Sequence, residues 1–159
     1  MRIVLQRVKE ARLSVQGEVK ACIGPGMLLL VGFGQEDDLD LPRTKVWSKF
    51  LDKIVSLRIF PDDKGRTELC LKDIQGSILV VSQFTLYADW RKGRRPSFTS
   101  AASPHTAKTL FYRFVHDLSQ LAPGSVSNGE FGWEVDILFC NWGPFTLTMD
   151  SQNSYEAQR

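Results

Sequence analysis

Histidine, cysteine and net charge are all scarce in this sequence. Its 159 residues include two histidines and three cysteines, and the formal charge at neutral pH is +2. Cys22, Cys70 and Cys140 are odd in number and stand in no CxxC or Cys/His spacing, which argues against a disulfide framework and against a structural zinc site. A reducing, cytoplasmic setting is the expectation. No apolar run approaches the ~20 residues of a membrane helix. The opening MRIVLQRV enters a strand pattern without the basic-then-apolar layout of a secretion signal. So small a net charge does not by itself announce a nucleic-acid binder. The two histidines, His105 and His116, belong to no GxSxG-like elbow, so a serine or threonine nucleophile lacks an obvious base. There is no internal repeat and no low-complexity segment.

What is present is enough for one core. A 43% hydrophobic content over this length fits a single domain, expected over residues 1–150, with SQNSYEAQR at 151–159 as a polar, frayed tail. Residues 2–8 and 12–22 read as two strands with a tight connection, and the continuous apolar run MLLLVGF at 27–33 as a strand covered on both faces. Val46, Trp47, Phe50, Leu51, Ile54 and Val55 form the stripe of an amphipathic helix spanning about 42–56. Ser103 as N-cap and Pro104 at the first helical position open a second helix, whose apolar face runs through Ala107, Leu110, Phe111, Phe114, Val115 and Leu118. SILVVSQFTLYAD at 77–89 reads as a strong strand. Asn128-Gly129 reads as a turn, and 133–140 and 145–150 as strands separated by Gly143-Pro144, a pair unsuited to a ladder. The fold class is therefore α/β, with layered sheets and two helices covering one face.

Three stretches carry candidate chemistry. In the strong strand the apolar Ile78–Val81 gives way to Ser82, Gln83 and Thr85, so hydroxyl and amide groups collect where α/β sheets tend to place ligands. Arg91, Lys92, Arg94 and Arg95 cluster in WRKGRRPSF, which is either a solvated surface loop or a phosphate-contacting one. Arg7 shares a strand face with Ile3 and Leu5; it either snorkels to water or uses its planar donors to hold backbone carbonyls.

Taken together, SQFTLYAD at 82–89, RKGRRPSF at 91–98 and NWGPFT at 141–146 closely resemble the signature segments of the D-aminoacyl-tRNA deacylases. MRIVLQRV, GMLLLVGF and the Phe131-Gly132 pair fit the same family in order and spacing, so the resemblance spans roughly residues 1–150. It implies hydrolysis of the ester joining a D-amino acid, or glycine, to the terminal adenosine of tRNA, with no cofactor and no metal. It also implies a homodimer in which a cis Gly143-Pro144 peptide reaches into the partner's site and rejects L-amino acids. By the same resemblance Ser82, Gln83, Phe84 and Thr85 position the ester and stabilise its oxyanion, water attacks with help from the ribose 2′-OH, and Thr85 as a covalent nucleophile is the minor mechanism. Phe131 joins the substrate pocket, Arg7 braces the Gly-Pro loop, and Arg91, Lys92, Arg94 and Arg95 contact tRNA. Trp133, Val135, Trp142 and Phe145 depart from the family pattern and bear on pocket width. Two readings from other classes compete: a non-catalytic RNA-binding module using the basic loop, and a serine or threonine esterase of small metabolites.

Overall fold

The computed structural model describes residues 1–152. In chain order the elements are β1 (Arg2–Val15), β2 (Glu18–Ile23), β3 (Gly26–Gly32), α1 (Lys45–Ser56), β4 (Phe60–Pro61), β5 (Thr67–Leu69), β6 (Ser77–Ser82), α2 (Pro104–Ser119), β7 (Val126–Asn128) and β8 (Asp136–Asp150). The main sheet runs β2-β1-β3-β6-β7, with β8 also paired to β1. The β3–β6 and β6–β7 pairs are parallel, while all partners of β1 are antiparallel.

The apolar run of β3 is continuous because both its faces are covered. Met27, Leu29 and Val31 face a core built with Ile78 and Val80 of β6 and with the apolar stripes of both helices. Leu28 faces the other way, toward Leu79 and Val81, and there meets Ala11, Leu13 and Ile23 from the distal half of β1 and from β2. The helices thus lie on one face and the second layer is a sheet. Both helices start as their caps dictate: Thr44 Oγ1 accepts from Trp47 N–H at 3.3 Å, and Ser103 Oγ accepts from Thr106 N–H at 3.2 Å. They meet at Trp47 and Phe114, whose rings stand edge to face with centroids 5.8 Å apart, while the indole N–H donates to Asp117 at 2.9 Å.

Several expectations from sequence are corrected. The strands at 2–8 and 12–22 are not joined by a connection near residue 10. β1 runs unbroken to Val15 because β8 supplies a partner along nearly its whole length, and the reversal comes at Gln16-Gly17, both with positive φ. The strand foreseen at 77–89 stops at Ser82, where its neighbour β3 ends, and a 3-10 turn covers Phe84–Tyr87. The helix foreseen from 42 begins at Lys45, preceded by a 3-10 turn at Leu41–Arg43. The strands at 133–140 and 145–150 are one, β8, and Gly143-Pro144 lies inside it. The β4–β5 hairpin and β7 are too short to show in a periodicity.

The tail also begins later than expected. Ser151 is buried, donates its N–H to the Met1 carbonyl at 3.0 Å, and accepts from the Met1 ammonium at 2.9 Å. Residues 153–159, the rest of the stretch expected to fray, lie outside those described. The same ammonium pairs with buried Asp37 at 2.7 Å, and Asp37 in turn accepts from Gly34 N–H at 2.8 Å. Replacing Asp37 by Ala strands a buried cation and an N–H together, so Asp37→Ala is expected to cost about 3–5 kcal/mol by urea denaturation. Phe114→Ala, which opens a void between the helices, is expected to cost a similar ~3–5 kcal/mol.

Candidate active site

The end of β6 makes the first half of the site. Gln83 N–H reaches the Val31 carbonyl at 2.7 Å as the last rung toward β3, after which the chain tightens into the 3-10 turn. The approach is so close that a Cβ on Gly32 would stand 2.6 Å from the Gln83 carbonyl oxygen. Leu86 N–H bonds back to Gln83 and Ala88 N–H to Thr85, so the N–H groups of Phe84 and Thr85, which open the turn, have no carbonyl within it. The Gln83 side-chain amide donates to Thr85 Oγ1. Phe84 projects into solvent, 54% exposed, with its ring edge-on to Phe98 at 5.0 Å. Ser82, Gln83, Phe84 and Thr85 are thereby presented together at the carboxyl end of a parallel strand.

No base is poised beside them. His105 and His116 lie on the exposed side of α2. Among the described residues neither Ser82 nor Thr85 bonds an imidazole, carboxylate or amine, and no group of three or more His, Cys, Asp or Glu is arranged to hold a metal.

The second half is the bulge in β8. Asn141 is opposite Val8 and Thr146 opposite Gln6, so residues 142–145 all face the single residue Arg7. The Gly143-Pro144 peptide is cis, and both residues are exposed. Asn141 Oδ1 accepts from Phe145 N–H at 3.0 Å and closes the bulge across its base, while Gln6 Oε1 accepts from both Asn141 and Thr146. Beneath lies Arg7, 8% exposed, donating through Nε to the Trp142 carbonyl at 2.6 Å and through Nη1 to the Ile59 carbonyl. Its guanidinium sits 5.3 Å from the Trp142 ring and 5.0 Å from the Phe145 ring. Burial pulls its pKa below the usual arginine value, and no carboxylate lies within ion-pair distance of it among the described residues. Arg7 therefore meets the bulge one residue ahead of Gly143 and bonds neither the Gly143 nor the Pro144 carbonyl.

The other candidates are distributed more widely. Phe131 rests against Phe111 at 5.9 Å, and the Tyr112 hydroxyl holds its turn by donating to Glu130 at 2.7 Å and accepting from Phe131 N–H at 3.4 Å. That clamp had no motif to reveal it. Trp133 and Val135 line a cleft with Val15 and Gln16 at the far end of β1. In the basic loop Arg91 is tied to Asp89 at 2.7 Å, which holds the Asp89 carboxyl down at about 2, whereas Lys92, Arg94 and Arg95 have no carboxylate partner among the described residues.

Within one chain the two halves do not meet. Ser82 is in register with Val31 and so with Ile3, while the bulge faces Arg7, four residues further along β1. At ~3.3 Å per residue and ~4.8 Å per strand, the four-residue offset and the three steps from β6 to β8 separate them by roughly 20 Å.

Comparison with known proteins agrees with the motifs. The family model for D-Tyr-tRNA(Tyr) deacylase matches residues 4–150. A D-aminoacyl-tRNA deacylase of Nitratidesulfovibrio vulgaris (strain DP4) is 51% identical over 150 residues, covering 94% of this chain and 93% of the relative. One from Solidesulfovibrio magneticus is 48% identical over 151 residues, covering 95% and 96%. A solved structure described as c-Myc DNA Unwinding Element Binding Protein superposes with a TM-score of 0.84 at 32% identity, over 94% of this chain and 98% of that one. A probable eukaryotic D-amino acid tRNA deacylase, at 20% identity and a TM-score of 0.75 over 93% and 97%, shares the fold.

Arg7 and Gly143 are expected to behave as one unit. Arg7→Met leaves the Trp142 and Ile59 carbonyls without their donor, at about 1–3 kcal/mol each. Gly143→Ala places a Cβ 2.7 Å from Arg7 Nη2 at a φ of +140°, where an L side chain is strained. Each variant should lower stability in urea, and the double variant should lose less than the sum because the clash vanishes with the guanidinium. Additive losses would show that the two do not interact.

Proposed function

The chain belongs to the D-Tyr-tRNA(Tyr) deacylase family, and we propose that it hydrolyses the ester of D-aminoacyl-tRNA with selection against L-amino acids made by the Gly143-Pro144 backbone. The observation that carries this reading is the pairing of a base-free polar corner at Ser82–Thr85, half-buried at Ser82 and Gln83 and exposed at Phe84 and Thr85, with an exposed, rigidly braced Gly-Pro bulge. In it, the ester lies against the corner with its carbonyl oxygen toward the N–H groups of Phe84 and Thr85. Those donors stabilise the negative charge that develops when water attacks. Ser82 and Gln83 orient the ester and the adenosine, and the substrate's own vicinal ribose hydroxyl assists the water, which agrees with the lack of an imidazole nearby. Thr85, engaged by Gln83, need not be a nucleophile.

Selection by main chain has a physical advantage. Carbonyls of the bulge accept from the substrate's α-ammonium, and its backbone occupies the space an L side chain needs. A misfit substrate then meets either a clash or an unpaired ammonium, and both cost more than a methylene in a soft pocket. Glycine has no side chain to exclude, so glycyl-tRNA passes the filter and is hydrolysed. Arg7 keeps the filter rigid from below, and Phe131 contributes to the pocket wall.

A second copy of the chain brings the halves together. Their ~20 Å separation within a chain is too large for one aminoacyl group, given the strand spacings. β8 moreover pairs with β1 alone among the described strands and exposes Leu138 and Phe139, at 62% and 39%, features of an edge that a partner covers. The homodimer therefore supplies Gly143-Pro144 to the opposite chain's Ser82–Thr85. Lys92, Arg94 and Arg95 contact the tRNA backbone, with Arg91 held back by Asp89.

Incubation with D-Tyr-tRNA, L-Tyr-tRNA and D-Tyr ethyl ester tests this directly. Rapid loss of the first alone is the expected result; hydrolysis of the free ester regardless of tRNA indicates a small-molecule esterase, and binding without hydrolysis an RNA module. Thr85→Ala should retain substantial activity, and an inactive but folded, substrate-binding Thr85→Ala dimer would count against the water mechanism. Arg94→Ala with Arg95→Ala should raise KM severalfold and flatten its salt dependence.

A further inference from the structure

We infer that the cleft beside the 3-10 turn seats the nucleobase preceding the terminal adenosine, the second cytosine of the CCA end common to tRNAs. This rests on the deacylase reading above. The cleft, of about 490 Å³, is walled by residues that include Arg2, Glu36, Tyr87, Asp89, Trp90 and Arg91. It opens where the turn ends: Tyr87 and Ala88 follow Thr85 by two and three residues, roughly 6 Å at ~2.0 Å per residue of a 3-10 helix. A strand whose last nucleoside is held at Ser82–Thr85 therefore presents its next unit here.

The charges favour a base over a phosphate in the cleft. Arg2 is paired with Asp150 at 3.0 Å and Arg91 with Asp89 at 2.7 Å, so the guanidinium groups of the wall are already neutralised. Lys92, Arg94 and Arg95, without a carboxylate partner among the described residues, lie just beyond Arg91 on the loop. A flat, uncharged base inside with its phosphate toward those cations satisfies both.

Two side chains match the base itself. The Trp90 indole is 76% exposed at the cleft and stacks on no other ring among the described residues, leaving a face for a nucleobase. Glu36 is exposed and has no ion pair or hydrogen bond among the described residues. Its carboxylate accepts from the exocyclic amino group of cytosine, whereas uracil offers a carbonyl oxygen at that position.

Fluorescence anisotropy with short RNA hairpins ending in CCA, in CUA, or with the second position abasic tests the assignment apart from catalysis. Wild-type protein should bind the CCA hairpin about 5- to 160-fold more tightly than the abasic one, the range expected for one stacked base. Trp90→Ala should abolish that preference, and Glu36→Gln should narrow the gap between CCA and CUA. In turnover, Trp90→Ala should raise KM for D-aminoacyl-tRNA by a similar factor at unchanged kcat, and leave KM for D-aminoacyl-adenosine alone. Equal wild-type affinity for CCA and abasic hairpins would overturn the inference whether or not the protein hydrolyses D-aminoacyl-tRNA. So would a Trp90→Ala variant with altered sedimentation but intact RNA discrimination, since Trp90 would then be a contact between copies. Selective CCA binding through Trp90 without hydrolysis would support the cleft and retire the deacylase reading instead.

Discussion

A single strand paired along both edges is the constraint from which the remaining geometry follows. β1 is held by β8 on one side and by β3, then β2, on the other. Its N-terminal half therefore lies in the layer under the helices, and its C-terminal half turns over to cover the opposite face of β3 and β6. Because both edges are occupied, a mismatch in length between β1 and β8 cannot be absorbed at a strand end. It appears as a bulge, and the residues at that bulge are Trp142, Gly143, Pro144 and Phe145.

Arg7 makes the bulge one shape among many. A buried guanidinium without a carboxylate is unusual, because desolvation of a charge is ordinarily offset by a counterion. Here two backbone carbonyls and two aromatic faces share that task. The arrangement is directional where an ion pair would be less so: carbonyls from two separate segments, before Gly143 and at Ile59, must point at one planar group. The bulky Trp142 and Phe145 form the walls of this cage, and their rings are turned toward the arginine.

The two halves of the site obey different physics. The Ser82–Thr85 corner owes its N–H groups without a carbonyl in the turn to a chain that leaves the β3 ladder after Ser82 and closes into a 3-10 turn. The Gly-Pro bulge owes its exposure to a strand with one unpaired edge. Among the described residues neither Ser82 nor Thr85 bonds a charged side chain, and the one charged group under the bulge, Arg7, is engaged by backbone carbonyls. In the loop after Trp90, Asp89 neutralises one arginine, and Lys92, Arg94 and Arg95 have no carboxylate partner among the described residues.

Both helices were legible apart from the start of the first, since their stripes, caps and Pro104 are local signals with period 3.6 and act within a few residues. The two-sided burial of β3 was likewise readable from its unbroken apolar run, and the SQFT, basic and Gly-Pro stretches from their composition. Strand ends were not. Whether 77–89 continued past Ser82, or whether 133–150 was one strand or two, depended on how far β3 and β1 extend beside them, and a partner's length leaves no mark in the neighbour's own sequence. Ser151 likewise looked like tail, until the ammonium of Met1, far away in sequence, was brought beside it. By itself, then, the sequence determined which segments are helical, which residues are apolar enough to form the core, and which family the chain resembles. Only the tertiary structure decided that Arg7 bonds the carbonyl ahead of Gly143, that Asp89 occupies Arg91, and that the corner and the bulge stand apart in one chain. The first and the last are long-range and set by which strands lie side by side, whereas the Asp89–Arg91 pair is local and is set by the turn of its loop.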